Sequence, residues 1–106
     1  MATKTTAQFF AELRVEEGLD FLQELIRSKK HLAHLKAEKR GKSIALVSYP
    51  NSVRVPHARL THFNEHTWEL SFPRSSGRWE RTPFVGTVEE LTDTLLGELA
   101  FHLVQR

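Results

Sequence analysis

Three histidines within ten residues, His57, His62 and His66, are the side chains whose types and spacing come nearest to metal chemistry, with Glu65 between the last two. Neutral imidazole is a ligand for zinc and copper, and a neighbouring carboxylate can complete such a site. Their spacing matches no helix-borne ligand pair, and histidines in a basic sheet commonly serve as hydrogen-bonding groups. His31-x-x-His34 carries less still. His102 falls inside an apolar stripe, where a hydrogen-bonded core histidine is expected. The expectation is no metal and no cofactor.

Other catalytic patterns are incomplete. Gly41-Lys42-Ser43 ends like a phosphate-binding loop, but Lys36 stands where the first glycine belongs. The residues after Ser43 also read as a strand, not the helix whose N-terminus would cradle phosphate. There is no cysteine and no serine in a G-x-S-x-G turn, and the only aspartates, Asp20 and Asp93, fall on acidic helix faces. Glu69 and Glu80 can approach across adjacent strands, yet Arg78 and Arg81 beside them point to surface ion pairs. Arg74-Ser75-Ser76-Gly77-Arg78 offers amides and two guanidinium groups to an anion, and otherwise reads as a polar hairpin loop.

What remains is charge. The formal net charge of +2 conceals a basic middle, residues 27–83, with twelve bases against four acids, between two acidic ends. Within it, cations alternate with aromatics: Tyr49, Arg54, Arg59, Phe63, Trp68, Arg74, Arg78, Trp79, Arg81 and Phe84. Sheets that bind single strands use this pairing, with bases on rings and cations along phosphates. Solvated charge on an exposed sheet face accounts for most of the same pattern.

These residues need elements to hold them. Thr5-x-x-Gln8 suits a capping box at the start of an N-terminal helix. Phe9, Phe10 and Leu13 share one helical arc, whereas Val15, Leu19, Leu22 and Ile26 share another, so a bend or break near Gly18 is expected. Acids early and Arg27, Lys29 and Lys30 late complement the helix dipole. Gly41 is expected to turn a hairpin between strands at 31–37 and 43–49, the alternative being a helix continuing to Arg40. Strands at 57–63 and 66–72 follow, with Trp68, Leu70 and Phe72 on one face. A three-residue loop Phe63-Asn64-Glu65 would set Leu60 opposite Trp68, Ala58 opposite Leu70, and His62 opposite His66. A strand at 78–84 comes next. Thr87-Val88-Glu89-Glu90 caps a last helix whose stripe is Leu91, Leu95, Leu99 and Leu103.

The expected fold is thus a single α+β domain over residues 1–106. Four to five antiparallel strands carry an N-terminal helix, bent or broken near Gly18, and a C-terminal helix on one face. The longest aliphatic run, Ile44-Ala45-Leu46-Val47, is far too short for a bilayer, and Met1 to Gln8 lack a signal-peptide core, so a cytoplasmic, membrane-free protein is expected. The expected function is non-enzymatic: a protein-binding or self-associating module using its basic sheet face, through Arg54, Arg59, Arg74, Arg78, Trp79 and Arg81. Single-stranded nucleic-acid binding is the first alternative. A small metal-dependent enzyme centred on His57, His62 and His66 is the second.

Overall fold

In the computed structural model, which describes residues 5–104, the Thr5 hydroxyl accepts from the Gln8 amide at 3.1 Å. The Gln8 side chain accepts from the Thr5 amide at 2.8 Å, completing the capping box. Helix α1 (Thr6–Ser28) then runs uninterrupted through Gly18, correcting the expected break. Two arcs coexist on one helix because only one of them is core. Val15, Gly18 and Leu22 are buried, while Phe9 and Phe10 remain 53% and 51% exposed. Gly18 is there for close approach. A Cβ on it would lie 2.8 Å from the Trp68 ring.

The expected hairpin exists, but its first strand starts later. A short 3-10 turn (Lys30–Leu32) occupies the place where a strand was expected, and seats Leu32 and, just beyond it, Leu35 in the core. Strand β1 (Lys36–Arg40) pairs with β2 (Ser43–Ser48) around Gly41, whose φ of +61° suits a tight hairpin turn. A second 3-10 turn (Pro50–Ser52) leads to β3 (Val55–Asn64), followed by β4 (Thr67–Pro73) and β5 (Trp79–Gly86). All five strands are antiparallel in sequential order.

The β3–β4 register differs from expectation by two residues. His62 faces Trp68 and Leu60 faces Leu70, because Phe63 is bulged out and Glu65 turns the chain with φ +46°. A shift of two residues keeps every side chain on its own face, so the apolar face survives the change. Helix α2 (Val88–Leu96) carries the expected Thr87–Glu90 capping box but ends before Gly97, shorter than the stripe suggested. Leu103 still reaches the core from a final 3-10 turn (Ala100–Leu103).

The core lies between the helices and one sheet face. Val15 and Leu22 of α1 and Leu91 and Leu95 of α2 meet Ile44, Leu60, Trp68 and Leu70. Fully burying a leucine or isoleucine contributes about 1.5–3 kcal/mol, so this layer is the main source of stability. This is the α+β arrangement with one-sided helix cover. Among the described residues no helix is long and apolar enough to cross a membrane.

Candidate functional site

Cross-strand partners share a face, so the register identifies the side opposite the helices. One row crosses all five strands: Glu38, Ala45, Arg59, Ser71 and Arg81. A second holds Arg40, Ser43, Thr61, Glu69 and Val85, with the Ser43 and Thr61 hydroxyls 2.9 Å apart. Lys36 sits opposite Val47 at one corner, and Trp79 opposite Pro73 at another. Alternation on a sheet buried on one side only has this consequence: long polar side chains accumulate on the other.

Most of these cations have partners. Arg54 Nε donates to Glu38 Oε1 at 3.0 Å, and the Tyr49 hydroxyl donates to Glu38 Oε2. The Tyr49 bond, then Arg54, lower the Glu38 pKa, and the same bond raises that of Tyr49. Arg81 binds Glu69 at 2.6 Å, and the Lys36 ammonium lies 5.4 Å from the Tyr49 ring centroid. Arg59 differs. Its guanidinium lies 4.8 Å from the Trp79 ring centroid, no described group accepts a hydrogen bond from it, and its Nε is buried without a partner. Desolvation lowers its pKa. The small Ser71 between Arg59 and Arg81 is buried although it faces away from the helices. A concavity of about 200 Å³ opens here, between Arg59, Trp79, Arg40 and the Glu38–Arg54 pair, with Ala45 also in its lining.

Of the six residues expected to form the surface, Arg54, Arg59, Trp79 and Arg81 come together on this face. Arg74 does not. It pairs at 3.0 Å with Glu80, which stands opposite Phe72 on the helix side of the sheet. Arg78 belongs to the exposed β4–β5 turn, where its carbonyl accepts from the Arg74 amide at 2.7 Å. Lys36, Glu38 and Arg40 were missed. Treating Gly41-Lys42 as a two-residue turn would have found them, since it sets Arg40 opposite Ser43 and Glu38 opposite Ala45.

The histidines do not converge. His62 is buried against Trp68 with ring centroids 5.2 Å apart, and its Nε2 lies 2.7 Å from the Glu65 carbonyl, while His66 is exposed in the turn. His57 is elsewhere, at the opposite end of β3. Among the described residues no three His, Cys, Asp or Glu side chains cluster as a metal site would require.

A pairing that no sequence pattern signalled is Ser48 Oγ to His57 Nε2, at 2.7 Å. His57 Nδ1 lies 2.9 Å from the His102 carbonyl, so the ring donates there and accepts from the serine. That is the hydrogen-bonding order of a nucleophile and its base. Exposures of 3% and 1% bar a substrate from reaching it. Together with His34, whose Nε2 is 2.7 Å from the Leu103 carbonyl, and His102, stacked on Phe72 at 3.6 Å, it fastens the last 3-10 turn to the sheet.

A second, more apolar groove of about 590 Å³ lies between the exposed start of α1 and the β3–β4 turn, lined by Phe10, Ala11, Lys42, Phe63 and Glu65 among others. Comparison of the chain with protein-family models, curated proteins and solved structures finds no match.

Proposed function

We propose that this chain is a non-enzymatic binding module whose open sheet face takes an acidic segment of a partner protein. Supporting this are five cations on that face, Lys36, Arg40, Arg54, Arg59 and Arg81, against two carboxylates, Glu38 and Glu69. The observation that carries it is Arg59, a guanidinium with no carboxylate opposite it on a side of the sheet that neither helix covers. Isologous self-association through this face would set like charges against each other, so an acidic partner is favoured over a second copy. Single-stranded nucleic acid is the weaker reading. One face of Trp79 is already taken by Arg59, and the other aromatic nearby, Tyr49, is engaged with Glu38 and Lys36.

The test is fluorescence anisotropy with a labelled ten-residue glutamate peptide and a labelled deoxythymidine decamer at low salt. The peptide binds the parent chain, and a folded Arg40→Glu, Arg59→Glu, Arg81→Glu variant loses it. Unaltered peptide binding by that variant, or binding of the decamer in preference, overturns the reading.

A further inference from the structure

Resting on the reading above, we infer that the concavity beside Arg59 is a socket for one carboxylate, that of an aspartate, glutamate or chain terminus in the acidic segment. Arg59 is held by stacking on Trp79 at 4.8 Å. Its Nε is shut away and unpaired, so the side-on fork that needs Nε is closed. The two Nη atoms, which have no described acceptor, remain for end-on approach. Two parallel N–H donors in a fixed plane match the two oxygens of a carboxylate.

The surroundings fit one carboxylate better than other anions. Arg54 is committed to Glu38, and Arg40 also acts electrostatically on Glu38, which leaves Arg59 as the cation of the concavity with no carboxylate beside it. Glu38 also lines it, and repels a dianionic phosphate more strongly than a singly charged carboxylate. A volume of about 200 Å³ lies below the roughly 300–1,000 Å³ of sites that enclose whole small ligands. It holds the tip of a larger molecule. Partial burial without a partner also favours capture of an incoming anion, because part of the desolvation of Arg59 has already occurred. Ala45 keeps the space open, since no long side chain rises between Glu38 and Arg59 in their cross-strand row.

The experiment is a titration of the ¹⁵N-labelled chain with the ten-residue glutamate peptide, followed through the Arg59 Nε–H and Trp79 indole N–H resonances. Inorganic phosphate and the deoxythymidine decamer serve as the other arms. Both resonances shift saturably with peptide. Arg59→Lys, which keeps the charge but not the fork, weakens peptide binding at least fivefold. Arg74→Lys, off this face and paired with Glu80, changes it less than twofold. Trp79→Leu, an independent variant, weakens it by removing the stacking platform. Equal losses for Arg59→Lys and Arg74→Lys would discard the socket while leaving the acidic-segment reading intact. Peptide binding with both side-chain resonances unmoved would do the same. No peptide binding at all would discard both. Tighter binding of phosphate or the decamer, with the same resonances shifting, would overturn the choice of carboxylate.

Discussion

Alanine at Gly18 is the substitution for which the structure reverses an ordinary expectation. In an open helix interior, glycine to alanine gains about 1 kcal/mol. Here the new Cβ would stand 2.8 Å from Cζ2 and 2.9 Å from Cη2 of Trp68, and 3.5 Å from Ile44 Cδ1. Those two contacts are well inside the roughly 3.5–4.0 Å separation of non-bonded carbons. Trp68 cannot swing clear, being 2% exposed and packed edge-on against His62. Overpacking of this kind costs about 1–3 kcal/mol, so Gly18→Ala should leave the parent about 0–2 kcal/mol less stable. In a Trp68→Phe background the obstructing ring atoms are gone, and Gly18→Ala should recover its gain of about 1 kcal/mol. Urea unfolding with unchanged slopes supplies all four corners of the cycle. Coupling of about 1–3 kcal/mol is the expected outcome. Should Gly18→Ala stabilise the parent by about 1 kcal/mol, or the two changes simply add, the close approach of α1 to Trp68 is wrong.

Two further predictions test the outer parts of the fold. Phe9→Ser and Phe10→Ser should each change stability by less than about 0.5 kcal/mol, whereas Leu22→Ala, on the same helix, should cost about 2–5 kcal/mol. Comparable losses at Phe9 and Leu22 in urea unfolding would contradict the exposed start of α1. Glu38 tests the β1 edge. Its pKa is lowered below 4.5, so its contribution is complete above that value and is given up as pH falls through the lowered value. Stability measured from neutrality into acid should therefore fall more for the parent than for Glu38→Gln. Parallel curves would show that the Tyr49 and Arg54 bonds to Glu38 do not hold in solution.

Local signals in the sequence were the ones that carried through. The two Thr caps, the positive φ at Gly41 and the Trp68–Leu70–Phe72 alternation each depend on a few neighbouring residues, and each formed as read. The misreadings share a different cause. Phe9, Phe10 and Leu13 imply a second buried arc only if α1 is covered along its whole length, and about 23 residues at 1.5 Å each carry it past the sheet. The bulge at Phe63 and the termination of α2 before Gly97 have no period to betray them. At the candidate site, alternation correctly placed Arg59, Trp79 and Arg81 together, but could not tell that Arg81 is neutralised by Glu69 while Arg59 is not. Pairing depends on diagonal and cross-strand distances, which follow register. The Ser48–His57 bond is invisible for the same reason, joining two strands nine residues apart in the chain.

The most direct measurement is a map of backbone amide shifts as the glutamate peptide is added to the ¹⁵N-labelled chain. An acidic partner on the uncovered face predicts changes concentrated at Ala45, Arg59, Ser71 and Arg81, with α1 and α2 quiet. Changes confined to Phe10, Lys42 and Phe63, in the groove beside α1, or no changes at all, would contradict it.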